Sequence, residues 1–351
     1  MLTFAQLKDH PELLTPDVRS PILHPSGTMT VLWEGDPGQE EVLRLAEWWG
    51  QPQPLEQIPG TRIWGSDFPA PDLPRTVCAW VEVGNERVAL PSPRHSKYIL
   101  GPDLPPLLVP EGEPATLAED VTLPAPGLAG DERRVRIFLP PGYAAGASYH
   151  TLYLGDGQME LDAEKRFPAA TDTLRHRGKA PPVILVVMDN GGPERPEEYI
   201  ASGSRNLAAR RWVWETVIPY VDARYPAAQR WAVGGSNGAS MALQLALGRP
   251  DLFSGGVFYS PWHRDGLDEV LRMADHWPGG GHFVISHGNF GLGERKNLPG
   301  TCALVERLQA RNVMVHFMEQ DGYGHNFYAW QLTIPELLRQ LFANLRQSST
   351  T

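Results

Sequence analysis

The stretch that decides the fold is Trp231–Leu247, WAVGGSNGASMALQLAL. Its first five residues favour a short buried strand, and Gly238–Leu247 favours a helix. Between them, Gly234–Gly238 fits the pattern G-x-S-x-G, in which a serine occupies a tight turn from strand to helix. Such a turn requires small residues on both sides of the serine, and Ala239, directly after the pattern, is also small. The stretch predicts a nucleophilic Ser236 above a sheet; the alternative is a glycine-rich turn that only packs tightly.

Strands and helices alternate on both sides of this stretch, from Arg133 to the end of the chain. The predicted strands are Arg133–Leu139, His150–Leu154, Pro182–Met188, Trp231–Gly235, Gly255–Tyr259, His282–Ser286 and Val313–Glu319. The predicted helices are Ala169–His176, Leu207–Tyr220, Gly238–Leu247, Leu267–His276, Leu298–Ala310 and Phe327–Leu345. This alternation predicts an α/β catalytic domain over residues 131–351, with a mainly parallel sheet covered by helices on both faces.

The first part of the chain has a different composition. Residues 1–130 hold 20 of the 34 prolines, with 8 basic and 18 acidic side chains, whereas residues 131–351 hold 23 of each charge. Short β-rich segments at Thr28–Trp33 and Thr76–Val83 predict a small β-sandwich domain over residues 1–101. The segment Glu40–Trp49 fits either a short helix or a strand. Residues 102–130 are predicted to be a proline-rich linker.

A serine hydroxyl needs a base to take its proton, and in this type of fold the base follows the nucleophile in the chain. His325 lies in the glycine-rich segment GYGHNF, directly after the last predicted strand and before the last predicted helix. That position makes His325 the predicted catalytic base. Structural roles are expected for the histidines in or beside predicted strands, which are His282, His287 and His316.

The third member of a triad is expected in the segment after the penultimate strand, where a carboxylate can accept the imidazole N–H. Between Gly288 and Asn297, predicted to be a flexible loop, Glu294 is the only carboxylate, so it is the predicted acid. Asn289 as a neutral partner of the histidine, or a Ser–His dyad, are the alternatives.

An oxyanion hole requires two backbone N–H groups aimed at the developing negative charge. Asn237 supplies one candidate, and Gly157, in the loop after the strand YHTLYL, supplies the other. Asp156 in the same loop is a candidate substrate contact, as are Arg210 and Arg211, which share a predicted helix with two tryptophans and could meet an anionic aromatic substrate.

Composition excludes several classes of protein. A net charge of −10 argues against binding of nucleic acid, which requires a broad basic face. No run of about 18 apolar residues indicates a membrane span, and the charged, proline-containing start MLTFAQLKDHPELL does not fit a signal peptide, so we expect a cytoplasmic protein. Cys78 and Cys302 alone make neither a disulfide framework nor a zinc site, and the predicted chemistry needs no metal or organic cofactor.

Taken together, these motifs resemble the enterochelin esterase group of the esterase D superfamily. The segments of the catalytic part that carry the resemblance are VRIFLPPGY (Val135–Tyr143), LGDGQ (Leu154–Gln158), ETVIPYVDARYP (Glu215–Pro226), GSNGA (Gly235–Ala239), RPDLFSGGVFYS (Arg249–Ser260) and GYGHNFYAW (Gly322–Trp330). In the first part, VLWEGD (Val31–Asp36) and IPGTRIW (Ile58–Trp64) are similar to the immunoglobulin-like early-set domain of that group.

The resemblance implies an α/β-hydrolase domain behind a small all-β domain, with Ser236 as nucleophile, His325 as base and Glu294 as acid. It also implies a substrate: the ester backbone of a ferric catecholate siderophore, cleaved inside the cell. A general carboxylesterase or feruloyl-type esterase, and a non-catalytic protein that binds a ligand in the same cleft, are the other hypotheses. The acidic first domain is expected either to cap the cleft or to mediate a homodimer.

Overall fold

The computed structural model of the chain describes residues 2–18, 20, 22–26, 28–34, 44–46, 55–69, 77–78, 80–83, 86–88, 98–101, 104–160, 167–263 and 266–348. The chain divides into two compact units. The first unit comprises Met1–Pro105, Gly288–Lys296 and Asp321–Asn326. The second comprises Pro106–His287, Asn297–Gln320 and Phe327–Thr351.

The first unit begins with helix α1 (Phe4–Asp9) and a 3₁₀ turn (Pro11–Leu13), and the other elements described up to residue 105 are short strands. These strands are β1 (Ile22–His24), β2 (Thr28–Glu34), β3 (Arg44–Ala46), β4 (Glu56–Gln57), β5 (Ile63–Pro69), β6 (Val77–Cys78), β7 (Trp80–Val83), β8 (Glu86–Val88) and β9 (Tyr98–Ile99). They form antiparallel sheets in the orders β1-β2-β5-β4, β3-β7-β8 and β6-β9.

This confirms the expectation of a β-rich first part. The segment left open between helix and strand, Glu40–Trp49, contains β3, and its other residues lie outside the described ones. A small apolar core forms where Phe4 and Leu7 of α1 meet Leu32 and Ile63 of the β1-β2-β5-β4 sheet. The carboxylate of Asp67 fixes the start of α1 by accepting the N–H groups of Phe4 and Ala5.

The second unit is built on an eight-stranded sheet with the order β10-β11-β13-β12-β14-β15-β16-β17. Its strands are β10 (Thr116–Pro124), β11 (Glu132–Leu139), β12 (Tyr149–Leu154), β13 (Val183–Met188), β14 (Ala227–Gly235), β15 (Gly255–Tyr259), β16 (His282–Gly288) and β17 (Met314–Gln320). Strand β11 is antiparallel to both β10 and β13, whereas the pairs from β13 through β16 are parallel. The predicted strands from Arg133 onward are confirmed to within a few residues.

The helices that follow these strands are α2 (Gly157–Glu160), α3 (Phe167–His176), α4 (Arg195–Tyr199), α5 (Asn206–Trp212), α6 (Ile218–Asp222), α7 (Asn237–Gly248), α8 (Leu267–Asp275), α9 (Gly291–Ala310) and α10 (Phe327–Ser348). A 3₁₀ turn, Gly192–Glu194, precedes α4. The sheet has an apolar core on each face, because alternate residues of a strand point to opposite sides. In β14, Ala232 belongs to one core, and Trp231 and Val233 belong to the other. The expected two-sided covering of the sheet is thereby confirmed.

Three local predictions differ from the structure. Strand β10 lies inside the segment predicted as a linker, because Pro114 and Pro124 enclose a proline-free run that pairs with β11. The predicted helix Leu207–Tyr220 is α5 and α6 joined by a π-helical turn, Val213–Val217. Pro219 accounts for that turn, since it has no N–H to donate within a regular helix. The domain boundaries at 101 and 131 stay a prediction.

The third difference concerns the segment that carries Glu294. It was expected to be a loop, yet helix α9 begins at Gly291 and includes Glu294 in its first turn. The start of this helix is not predicted from the sequence because it contains Gly291 and Gly293, and glycine is a poor helix former. A carboxylate in the first turn of a helix is favoured by the partial positive charge of the helix N-terminus.

Candidate active site

Ser236 occupies a strained turn between β14 and α7. Its φ of 57° and ψ of −127° lie in a region that residues with a side chain rarely adopt. Backbone hydrogen bonds hold it there: the Ser236 N–H donates to the Tyr259 carbonyl at 3.1 Å, and the Trp262 N–H donates to the Ser236 carbonyl at 3.2 Å. The serine is therefore the first residue before the helix, at the C-terminal edge of a parallel sheet.

The glycines around Ser236 leave no space for a side chain. A Cβ on Gly235 would lie 1.9 Å from the ring of Tyr259, and a Cβ on Gly234 would lie 2.3 Å from the carbonyl oxygen of Gly238. A Cβ on Gly238 would in turn lie 2.6 Å from Oδ2 of Asp156. The sequence pattern thus reflects close backbone approach, which is what a strand–serine–helix turn requires.

The loop that holds Gly157 lies beside this turn. Strands β12 and β14 are parallel neighbours in which Leu154 pairs with Val233, and the Gly155 N–H donates to the Val233 carbonyl at 3.4 Å. The segments after these two strands therefore leave the same edge of the sheet. Asn237 is the first residue of α7 and Gly157 the first residue of α2.

Asp156 is buried and held by other side chains, and its role as a substrate contact stays a prediction. Its side chain is 1% exposed, and its carboxylate accepts two hydrogen bonds from Arg195, each of 2.5 Å, and one from Nδ2 of Asn190, of 2.6 Å. These contacts occupy the carboxylate within the protein. Neither Arg195 nor Asn190 is a sequence-predicted site residue. The acidic run that surrounds Arg195 suggests a solvated turn and gives no signal of this role.

Glu294 and His325 form a pair in the first unit. Nδ1 of His325 lies 3.3 Å from Oε1 of Glu294, and the side chains are 17% and 0% exposed respectively. His325 lies in the short segment between β17 and α10, as the sequence predicts. A carboxylate next to Nδ1 orients the imidazole and stabilises its protonated form, and it leaves Nε2 for proton transfer.

Two segments of the first unit hold this pair. Oδ1 of Asn289 accepts the Gly322 N–H at 2.9 Å, and its Nδ2 donates to Asp321 at 3.2 Å. The Phe290 N–H donates to the Tyr323 carbonyl at 3.1 Å. Asn289, considered above as a partner of the histidine, thus joins the segment that carries Glu294 to the segment that carries His325.

Three of the other downstream histidines are buried and one is exposed. His263 and His287 are buried and flank the hydroxyl of Thr301, each with a ring nitrogen 3.1 Å away. Burial lowers the pKa of His263 to about 3, with a further contribution from His287. His282 is buried at the start of β16, where burial lowers its pKa to about 4. His276 is exposed after α8.

Arg210 lies near the end of α7 that is farther from the serine turn, and its contact with a substrate stays a prediction. Its guanidinium packs over the ring of Trp214 and lies near Gly248, the last residue of α7. Ser236 precedes the first residue of that helix, and twelve residues span ~18 Å. Burial lowers the pKa of Arg210, in keeping with a packed position. Arg211 lines a separate surface cleft of about 380 Å³ with Trp212 and Glu215, and its contact with a substrate stays a prediction.

The structure thus places the predicted residues in two groups. Ser236, Asn237, Gly157 and Asp156 belong to the second unit, and Glu294 and His325 form a pair in the first. Among the described residues, no group of three or more His, Cys, Asp or Glu side chains could hold a metal ion. In that same part of the chain, no helix is both long and apolar enough to cross a membrane.

The fold and the serine turn define a class of protein, the α/β-hydrolases. The chain matches the family described as "Putative esterase" over residues 127–341, which is more than half of its length, and it belongs to that family. Membership of this family confirms the expected enzyme class, the carboxylic ester hydrolases. The uncharacterized protein YjcH of Bacillus subtilis (strain 168) is 26% identical over 149 residues, which cover 41% of this chain and 62% of that protein's length.

Solved structures show the same fold over most of the chain. An enterobactin esterase from Shigella flexneri, crystallised in the presence of enterobactin, is similar with a TM-score of 0.69 and 19% identity, over 91% of this chain and 93% of that one. The ferric enterobactin esterase from Salmonella typhimurium is similar with a TM-score of 0.68 and 18% identity, over 96% of this chain and 99% of that one. A ferulic acid esterase is similar with a TM-score of 0.54 and 15% identity, over 66% of this chain and 99% of that one. The expected enterochelin-esterase-like fold is confirmed.

Proposed function

We propose that this chain is a serine esterase with Ser236 as nucleophile, His325 as base and Glu294 as the acid that orients the base. The observation that carries the proposal is the backbone of Ser236. A φ of 57° on a residue other than glycine is costly, and such strain persists where the surrounding structure enforces it for a purpose. The buried Glu294 beside Nδ1 of His325 supplies independent support, because a solvated histidine has no such partner.

In the proposed acylation, Nε2 of His325 takes the proton of the Ser236 hydroxyl while Oγ attacks the ester carbonyl carbon. The carbonyl π electrons move to its oxygen and give a tetrahedral oxyanion. When the oxyanion collapses, the C–O bond to the alcohol breaks and His325 returns the proton to the leaving oxygen. Glu294 stays ionised throughout and stabilises the imidazolium that forms between these steps.

Water then completes the cycle by the same route. His325 takes a proton from a water molecule whose oxygen attacks the acyl carbon, and a second tetrahedral oxyanion forms. Its collapse releases the carboxylic acid, and the proton goes back to Oγ of Ser236. In both steps we assign the N–H groups of Asn237 and Gly157 as donors to the oxyanion, since they begin helices after two adjacent parallel strands.

A panel of variants tests these roles with p-nitrophenyl butyrate as substrate. Ser236→Ala and His325→Ala are expected to reduce kcat by about 10⁴-fold or more, because each removes a group that reacts. Glu294→Gln is expected to reduce kcat by about 10⁴-fold if a Ser–His–Glu triad operates. A kcat close to the wild-type value for Glu294→Gln would favour the Ser–His dyad.

Matched controls separate these roles from general damage. His276→Ala removes an exposed histidine, and Glu306→Gln removes an exposed carboxylate on the same helix as Glu294. Both are expected to keep wild-type kinetics. A fluorophosphonate should label the wild type and fail to label Ser236→Ala. A folded wild-type chain that neither reacts with the probe nor cleaves any ester would support the non-catalytic binding role instead.

For the substrate, we propose the ester backbone of a ferric catecholate siderophore. The support is the extent of the likeness: the enterobactin esterases match 91–96% of this chain, so the likeness includes residues before the family match at 127. The second candidate, a feruloyl-type esterase, is supported by the ferulic acid esterase, which matches 66% of the chain.

Hydrolysis of ferric enterobactin and of methyl ferulate by the same enzyme sample distinguishes the two substrates. The siderophore proposal expects a kcat/KM for ferric enterobactin at least about tenfold above that for methyl ferulate, equivalent to 1.4 kcal/mol of transition-state binding. The reverse preference would favour the feruloyl-type activity.

A further inference from the structure

The candidate oxyanion loop contains a second residue with a positive φ, Asp156. Its φ is 60°, in the left-handed region that few residues other than glycine, asparagine and aspartate adopt. Its N–H donates to the hydroxyl of Tyr199 at 3.2 Å, and its carboxylate is held by Arg195 of α4 through two parallel hydrogen bonds. The guanidinium of Arg195 also lies over the ring of Tyr199, 5.5 Å from its centroid.

Gln158 fixes the loop on the other side of Gly157. Its Oε1 accepts the Asn190 N–H at 3.0 Å, and its Nε2 donates to Oδ1 of Asn190 at 2.6 Å. Asn190 in turn donates to Oδ1 of Asp156. Gly157 therefore lies between two side chains that are both tied to the same network, and the direction of its N–H depends on that network.

The negative charge of Asp156 lies close to the first turn of α7, which Ser236 precedes. Its Oδ2 is 2.6 Å from the position of a Cβ on Gly238, so the carboxylate sits against the first turn of α7. The N-terminus of a helix attracts negative charge, and this one is also where the oxyanion of the proposed reaction must form. An unneutralised carboxylate there would repel the oxyanion, because both charges lie in a site of low dielectric constant. Arg195 neutralises it with a planar two-pronged contact.

We propose that Arg195 is a positioning residue for ester hydrolysis, which acts through Asp156. It holds the loop so that the Gly157 N–H points at the reacting oxygen, and it cancels the negative charge that Asp156 brings to the start of α7. This inference rests on the proposed function, since it concerns the oxyanion that forms after attack by Ser236.

A charge-balance experiment tests the inference. Arg195→Met removes the guanidinium that neutralises the buried carboxylate of Asp156. We expect kcat for p-nitrophenyl butyrate to fall about 100-fold with KM nearly unchanged, because the Gly157 N–H is then misplaced. Adding Asp156→Asn to Arg195→Met removes the repelling charge, and we expect it to restore kcat by about tenfold. A purely structural role would instead give a double variant that is as slow as the single one, or slower.

Arg230→Met is the matched control. Arg230 and Asp222 form a two-pronged ion pair in which the arginine is 20% exposed, close to the 18% of Arg195, whereas Asp222 is 30% exposed and Asp156 only 1%. Arg230 lies near the start of β14 rather than at the end that carries Ser236. We expect its kcat to equal that of the wild type. Circular dichroism and melting temperatures establish that each variant is folded.

Each outcome decides between the inference and the proposed function. If Ser236→Ala keeps esterase activity, the proposed function fails. If Ser236→Ala is inactive and Arg195→Met keeps wild-type kcat, or Asp156→Asn restores nothing, the inference on Arg195 is overturned alone. If Arg195→Met does not fold, the test is made with the double variant, in which the charge of Asp156 is also removed. The inference expects the kcat of the double variant to be about tenfold below that of the wild type, because Gly157 is misplaced. A kcat equal to that of the wild type would overturn the inference.

Discussion

At the scale of single residues, the strain at Ser236 predicts a trade-off between stability and activity. Glycine adopts a φ of 57° without steric cost, so Ser236→Gly should raise the free energy of unfolding by about 1 kcal/mol relative to Ser236→Ala, which keeps its Cβ. Both variants should be inactive. Differential scanning calorimetry of the two variants measures the difference. A Ser236→Gly variant that melts at or below the temperature of Ser236→Ala would contradict the assignment of strain.

The catalytic residues that the sequence predicts are those whose position in the chain is constrained by the chemistry. Ser236 follows from a five-residue pattern, and His325 and Glu294 follow from their places after particular strands. The partners of Asp156 could not be found in this way. Asn190 and Arg195 lie 34 and 39 residues further along the chain, and only the folded loop brings their side chains to the carboxylate. The sequence predicts the helix that carries Arg210 but not the direction in which this side chain packs, which is over Trp214.

At the scale of secondary-structure elements, buried histidines predict the response of stability to pH. The hydroxyl of Thr301 in α9 lies between His287 of β16 and His263, in the segment after β15, so three elements share one buried polar contact. The pKa of His263 is about 3 in the folded protein, compared with 6.5 ordinarily. Between these values the unfolded chain binds a proton that the folded chain does not. The free energy of unfolding should therefore decrease as the pH falls below ~6.5.

Urea unfolding between pH ~6.5 and ~4.5 measures this effect, with an expected slope of about 1.4 kcal/mol per pH unit from His263. The variant His263→Gln should show a slope smaller by about that amount. The control variant His276→Gln, at an exposed position, should keep the slope of the wild type. A pH dependence that is the same in all three proteins would show that His263 is not buried in its neutral form.

Elements with strong periodicity were predicted well and elements built against local preference were not. The parallel strands, rich in Val, Ile and Leu, and helix α7 were placed within a few residues. Helix α9 begins among glycines, and β10 is flanked by prolines, so local composition suggested a loop and a linker. In both cases tertiary contacts decide: Glu294 pairs with His325, and β10 pairs with β11 along its length.

At the scale of the whole molecule, charge is distributed unevenly along the chain. The net charge is −10, and this excess resides in residues 1–130, since residues 131–351 carry equal numbers of acidic and basic side chains. A ferric tris-catecholate is itself an anion, so the long-range field of the protein should slow its approach. A neutral ester such as p-nitrophenyl butyrate should be indifferent to that field.

Raising the ionic strength from ~0.02 to ~0.5 M shortens the screening length and weakens the repulsion between the protein and an anionic substrate. We therefore expect kcat/KM for ferric enterobactin to increase with salt, while kcat/KM for p-nitrophenyl butyrate stays constant and serves as the internal control. The measurement also reports on the cleft. If kcat/KM for the siderophore decreases with salt while kcat/KM for the neutral ester is constant, the expectation based on net charge is wrong. Attraction by cationic side chains near the reacting groups would then outweigh the repulsion from the net charge of the chain.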